Sequence, residues 1–377
     1  MAPGLNLENS SLISTSCSHD TWNCLSTLGC KARESDLSYS ELSPCDCEQL
    51  EPEFDLERFW DLDTLGIKPE REVSPVLEDF LDTLTHDSRS KRYTVRLPRK
   101  RNIENLQSNF SGCLRRLDSL ATKFQKVENK EFTEKYKTII NDQLSEGIIE
   151  KVYLSEEERR FLQRDVSKPV LQFYIPHHGV VGKKLRVVMD ASAHAYRGAL
   201  SLNDCLFAGP SLVNLLAEVL FCFRLHEIVL LADIKAAFLQ IGVHTDDRDL
   251  LRFLWYNEKG ELEVFRFTRV PFGTGPSPFL LNATLKYHLE KLVDDQSLLS
   301  LLLQSLYVDD ILTGGPNVQF ILELQTQLKA ILGEAAMTLH GWDSNSVEVR
   351  SSLEVTSEND TKKVLGVFLG GCYTGTF

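Results

Sequence analysis

Two stretches of this chain combine carboxylates with apolar strand-like flanks. In Ile228-Val229-Leu230-Leu231-Ala232-Asp233-Ile234 an apolar run delivers an acid at its end, and a compact turn with the aromatic Phe238 follows. In Leu306-Tyr307-Val308-Asp309-Asp310-Ile311-Leu312 two adjacent acids interrupt an apolar run. Side chains alternate across a strand, so neighbouring acids do not both face one way without a turn between them. The pattern predicts a β-hairpin with the acids at its tip, beside the acid of a neighbouring strand. Like charges ~4 Å apart repel by about 4 kcal/mol at an effective dielectric near 20. Divalent metal removes that conflict. Two Mg2+ ions held by such carboxylates are able to activate a 3′-hydroxyl and stabilise a leaving pyrophosphate. Asp309-Asp310 taken alone reads as a solvated turn; the two segments together point to the metal site.

These carboxylates need elements to position them. Short helices are expected at 54–65 and after Ser74-Pro75, where Ser is placed to cap and Pro to open the first turn. Lys91 to Leu97 reads as a strand stopped by Pro98. Helices are expected at 103–126 and 131–146, the second ended by Gly147. Strands are expected at 148–153, 170–175, 184–190, 228–233, 250–256 and 263–268, with further short ones near 336–339 and 363–369. Helices are expected at 211–225, from Ser277-Pro278 to about Leu292, and at 318–332. Mixed elements without strict alternation imply an α+β fold.

Charge divides the chain unevenly. Overall it has 377 residues, 41 Lys plus Arg, 54 Asp plus Glu and a net charge of −13. Residues 1–88 hold 19 acidic and 5 basic side chains, so the rest of the chain is nearly neutral. The acidity of the whole therefore does not exclude a nucleic-acid partner. Arg89, Lys91, Arg92, Arg96, Arg99, Lys100 and Arg101 form a basic cluster. It reads either as a solvated strand and loop or as a phosphate-backbone contact. Residues 1–50 are rich in Ser and Cys with little apolar periodicity, and read as poorly structured. They contain no Cys-x2-Cys pair, which argues against a zinc finger. No apolar run approaches the ~18 residues that cross a bilayer, and the N-terminus has no signal-peptide pattern. A reducing compartment with free cysteines is expected.

With their flanks, these segments resemble the reverse-transcriptase region in the Pol polyprotein of BEL/Pao-type LTR retrotransposons. Tyr307-Val308-Asp309-Asp310 is similar to the YVDD box, and Ala232-Asp233-Ile234-Lys235-Ala236-Ala237-Phe238 to motif A. Lys184-Leu185-Arg186-Val187-Val188-Met189-Asp190 resembles the fingers motif, followed by Ser201-Leu202-Asn203-Asp204 and Gly209-Pro210. Arg269-Val270-Pro271-Phe272-Gly273 with Ser277-Pro278-Phe279 resembles motif B, and Phe59-Trp60-Asp61-Leu62 the linker before the polymerase. The match runs over about 54–369, in the family's order.

The resemblance implies a right-hand polymerase fold of fingers and palm, with a ferredoxin-like palm sheet backed by helices. It divides the chain into an acidic, degraded segment (1–53), a helical linker and start of fingers (54–150), fingers and palm (151–369) and a truncated tail (370–377). It implies an RNA-directed DNA polymerase using two Mg2+ ions, with Mn2+ as a substitute. Template with primer and deoxynucleoside triphosphates are the implied partners, with no membrane. The implied location is the cytoplasm, in retrotransposon particles, or the nucleus. Asp233, Asp309 and Asp310 are the implied catalytic and metal residues, with the Ile234 carbonyl assisting. Lys184 and Arg186 would hold the triphosphate, Phe238 would exclude a 2′-hydroxyl, and Phe272 and Gly273 would touch the template or nascent pair. Gly341 stands where the family has a lysine, with His340 beside it as a candidate proton donor. No Asp-Thr-Gly or Asp-Ser-Gly triplet occurs, which rejects an aspartic protease. The alternative is an inactive relic acting as a nucleic-acid-binding or interaction module; a scaffold using the acidic arm is a third reading.

Overall fold

The computed structural model describes residues 74–154, 171–182 and 184–353, and the backbone of 362–364 and 367–369. Contacts divide the chain into Met1–Lys68 and Pro69–Phe377. The first unit and residues 370–377 lie outside the described residues, and so do the expectations for 1–53, for a helix at 54–65 and for 370–377.

Within the second unit the elements are α1 (Pro75–Thr83), β1 (Thr85–Asp87), β2 (Arg92–Val95), α2 (Phe110–Phe124), α3 (Lys130–Ser145), β3 (Ile149–Val152), β4 (His177–Val181) and β5 (Leu185–Met189). Then follow α4 (Leu216–Arg224), β6 (Ile228–Ile234), β7 (Gly242–Val243), β8 (Arg252–Tyr256), β9 (Leu262–Phe267), α5 (Ser277–Leu292) and α6 (Gln296–Ser305). The chain continues with β10 (Leu306–Tyr307), β11 (Asp310–Gly315), α7 (Val318–Gly333), β12 (Leu339–Ser344), α8 (Val347–Ser352), β13 (Lys362–Val364) and β14 (Val367–Leu369). The strands form small, mostly antiparallel sheets, and the fold is α+β.

The sheet that matters most has the order β10-β11-β6-β12. Its central strand β6 is covered on both faces, which is why it reads as an unbroken apolar run. On one face Val229 and Leu231 pack with Leu312 of β11 and with Val219 and Phe223 of α4. On the other, Leu230, Ala232 and Ile234 join the main core with Leu324 and Leu328 of α7. The first half of α5 is largely buried, from Phe279 to Leu285, whereas Lys286, Glu290 and Lys291 on its second half reach solvent. The helix begins at Ser277-Pro278 and ends at Leu292 as the sequence predicts.

Several boundaries move. α4 starts at Leu216 rather than 211, and β12 begins at Leu339 rather than 336. The apolar stretch before Asp309 is mostly helix α6, leaving only Leu306–Tyr307 as strand, because paired strand there needs just two residues to close the hairpin. The expected strand at 170–175 reduces, among its described residues, to a single bridge from Tyr174 to Arg252. Gly147 ends the α3 segment with φ +64°, as its position predicts. Among the described residues no helix is long and apolar enough to cross a membrane.

Candidate catalytic site

Strand register builds the centre of the site. Asp233 of β6 stands directly opposite Asp310 of β11. Asp310 in turn is opposite Tyr307 of β10, and Asp233 is opposite His340 of β12. Directly opposed residues share a face, so Tyr307, Asp310, Asp233 and His340 form one row across four strands. Leu312 and Leu231 make the next row on that face, under α4. The apolar half of the face is thus buried, and the acids emerge just beyond it.

The hairpin loop is Val308-Asp309, so Asp310 is already in the ladder and only Asp309 of the two acids belongs to the turn itself. Val308 takes φ +56°, the left-handed region that a β-branched residue enters rarely. A two-residue hairpin loop demands positive φ at a central position, and the sequence offers no glycine there. The Ile234 N–H donates to the Asp309 carbonyl at 2.9 Å, tying the tip to the end of β6. Ile234 itself is buried, its side chain on the opposite face from Asp233.

β12 meets Asp233 through an irregularity between His340 and Asp343. His340 Nδ1 lies 3.2 Å from Asp233 Oδ2. Gly341 adopts φ +63°, and a Cβ there would point at Asp233, 4.0 Å from its Cβ.

The chain leaves β6 through Ala236, at φ +49°, into a 3-10 turn carrying Phe238. The Phe238 ring meets the Phe272 ring edge to face, with centroids 4.9 Å apart and planes at 86°. Such pairs contribute about 0.5–1.5 kcal/mol beyond burial. Phe272 remains exposed. The next residue, Gly273, has φ +99°, and a Cβ there would lie 2.1 Å from the Met189 carbonyl oxygen. Only glycine lets the Phe272-Gly273 turn press against the end of β5. Asn203 fixes this contact from the side. Its Nδ2 donates to Ser192 Oγ at 2.9 Å, and its Oδ1 accepts from the Gly275 N–H at 2.8 Å.

Lys184 and Arg186 are exposed on the β4–β5 hairpin, Arg186 opposite Val180. Arg186 is three residues from Met189, roughly 10 Å along the strand at ~3.3 Å per residue. A continuous series of contacts therefore runs from β5 through Gly273, Phe272 and Phe238 to the strand that bears Asp233. The structure brings Asp233, Asp309, Asp310 and Ile234 together at one end of the sheet. It joins Phe238, Phe272 and Gly273 in a second group beside them, with Lys184 and Arg186 on the flanking hairpin. Tyr307 and His340 carry sequence signals, in the YVDD box and as a candidate proton donor, but their places in one row with Asp233 and Asp310 come from strand register. Asn203 carried a signal in its Ser201-Leu202-Asn203-Asp204 motif, but its partners are far away in sequence.

Part of the basic cluster is used within the fold. Arg96 Nε donates to Asp247 Oδ2 at 2.8 Å, Arg99 bonds the same carboxylate, and the Leu97 N–H adds a third donor at 3.0 Å. Lys91 pairs with Glu334, Arg92 bonds the Gln240 carbonyl, and Lys100 Nζ reaches the Asp204 carbonyl. Arg96 and Arg99 are committed to Asp247, which is fully buried and has to be neutralised, while Arg89, Lys91 and Arg101 stay exposed.

Among the described residues no group of three or more His, Cys, Asp or Glu side chains stands ready to hold a metal. Carboxylate oxygens are nevertheless the donors a hard cation prefers, and Asp233 and Asp310 are cross-strand neighbours. Mg2+ is commonly held by one or two carboxylates plus substrate phosphates rather than by an all-protein cage. The donor set fits that pattern.

No family model matches this sequence, and no curated protein is significantly similar to it. Solved structures do show likeness. A foamy viral protease-reverse transcriptase in complex with double-stranded DNA aligns at 20% identity and TM-score 0.36, over 54% of this chain and 29% of that one. Native prototype foamy virus protease-reverse transcriptase aligns at 16% identity and TM-score 0.41, over 64% and 26%. A selenomethionine-labelled mutant of that viral protein gives 17% and 0.42, over 64% and 27%. This chain thus spans less than a third of the length of these structural neighbours.

Proposed function

We propose that this chain is the fingers and palm of an RNA-directed DNA polymerase of BEL/Pao retrotransposon type, with β10-β11-β6-β12 as the palm sheet. The observation that carries the reading is the direct pairing of Asp233 with Asp310, with Asp309 at the adjoining hairpin tip. Asp233 and Asp309 would hold the metal ions, with Asp310 and the Ile234 carbonyl completing the set. Bound Mg2+, or Mn2+ in its place, supplies charge stabilisation for nucleotidyl transfer onto a primer 3′-hydroxyl. Phe238, braced by Phe272, excludes a 2′-hydroxyl from the sugar position. Gly273 lets backbone approach the template or the nascent pair. Lys184 and Arg186 bind the triphosphate of the incoming deoxynucleotide, a task suited to a planar guanidinium fork.

Primer extension on oligo(dT)-primed poly(rA) with Mg2+ or Mn2+ tests the reading. Metal-dependent extension by the wild type, absent from the Asp309→Asn, Asp310→Asn double variant, is the expected outcome. No extension by folded wild-type chain would sink it. A second reading, a nucleic-acid-binding module without polymerase activity, draws on Gly341, where a proton-donating lysine is expected.

A further inference from the structure

Three arginines from separate parts of the chain converge on the segment 240–243. Arg92 of β2 reaches the Gln240 carbonyl, and its Nη1 also lies 3.3 Å from Gln240 Oε1. Arg248 Nε donates to the Val243 carbonyl at 3.0 Å. Arg269 lies alongside, its backbone bridged to Gly242, with the next N–H, that of Val270, on the Ile241 carbonyl.

Compensating charge is short here. Arg92 is met by a neutral amide. Arg248 Nη1 pairs with both Glu150 oxygens at 3.4 Å, but it shares that carboxylate with Arg266, which holds it at 2.7 Å and also pairs with Asp249. Arg269 makes no ion pair among the described residues, and its buried Nε has no hydrogen-bond partner there. Burial, and then the nearby charges of Arg92 and Arg248, push the Arg269 guanidinium down to about 10. At neutral pH it still carries its charge. A partly buried cation without a partner, beside two others, is costly unless an anion joins it.

We propose that Arg92, Arg248 and Arg269 form a binding site for a phosphate group. Three arginines gathered along one four-residue segment offer spare N–H donors to an anion, and Arg is the side chain best suited to phosphate oxygens. The phosphate belongs either to a nucleic-acid backbone or to a free phosphate species. The site shares no residue with the proposed polymerase centre and does not depend on that reading.

Thermal denaturation of the full chain in sodium phosphate, against sodium chloride of equal ionic strength, tests the site directly. The wild type should melt several degrees higher in phosphate. Arg269→Gln should lose that increment, while melting in chloride at or above the wild-type temperature because an unpaired charge has gone. A general salting effect of phosphate would persist in Arg269→Gln and would overturn the proposal, as would no phosphate effect on the wild type. Arg248→Gln serves as a second variant, with the same loss expected. Anisotropy of a labelled single-stranded oligonucleotide then separates the sources. Binding weakened roughly tenfold in Arg269→Gln assigns a backbone phosphate. Unchanged oligonucleotide binding with the phosphate effect lost assigns a free phosphate species.

Discussion

Asp233 and Asp310 face each other directly across an antiparallel ladder, at the point where the apolar cover of α4 ends. Opposed like charges on a sheet destabilise it by about 0.2–1 kcal/mol. Asp310→Asn should therefore raise the melting temperature in chelator-containing buffer. Mg2+ should stabilise the wild type and leave the variant little changed. Polymerase activity, measured by primer extension, should fall at least ~100-fold with Asp309→Asn, since a metal-holding group supplies several kcal/mol. An active Asp309→Asn enzyme would reject the metal assignment.

The Phe238 and Phe272 rings pack edge to face, so under the proposed function sugar discrimination would be a joint property of the two. Phe238→Ala should admit ribonucleotides, improving their use relative to deoxynucleotides by roughly tenfold or more. Phe272→Ala should move selectivity in the same direction by a smaller factor. Single-nucleotide incorporation with both sugar types measures this, and unchanged selectivity in Phe238→Ala would mean that the ring is only core.

Gly273 is set against the Met189 carbonyl with φ +99°. Gly273→Ala brings both a steric overlap and an unfavourable backbone, and should cost about 2–4 kcal/mol. Urea denaturation reads the loss directly. A variant as stable as the wild type would show that this turn is free to move away from β5.

His177 gives the fold a pH dependence. It is buried, with Tyr136 Oη 2.5 Å from its Nδ1 and the Leu254 carbonyl 2.9 Å from its Nε2. Burial pushes its pKa down to about 4 from an ordinary 6.5. The unfolded chain binds the proton more readily, so stability rises with pH between these values. The contribution is fully present above pH 6.5 and is lost as pH falls toward 4, on the order of 3 kcal/mol in all. Urea melts at pH 7 and pH 5 should show the decline in the wild type and a smaller one in His177→Gln.

Asp247 has no exposure and gathers Arg96, Arg99 and the Leu97 N–H. Asp247→Ala removes the buried carboxylate from both guanidinium groups, leaving Arg96 with Asp246 and Arg99 with the Asp246 carbonyl, and should cost about 2–3 kcal/mol. A loss below ~1 kcal/mol in chemical denaturation would show that water replaces the carboxylate.

Local pattern alone located most of the elements. The apolar run into Asp233, the Ser277-Pro278 opening of α5 and the glycine after α3 are all written in neighbouring residues, and each produced the element it announced. The hairpin around Asp309 was legible for the same reason, although α6 takes most of its expected first arm. What stayed hidden depends on partners distant in sequence. Nothing near residue 340 says that His340 will lie opposite Asp233, and nothing in the 89–101 cluster says that Asp247 will consume two of its charges. Periodicity reports which face of an element is apolar. Register and charge pairing depend on which strands meet, and only the tertiary structure decides that.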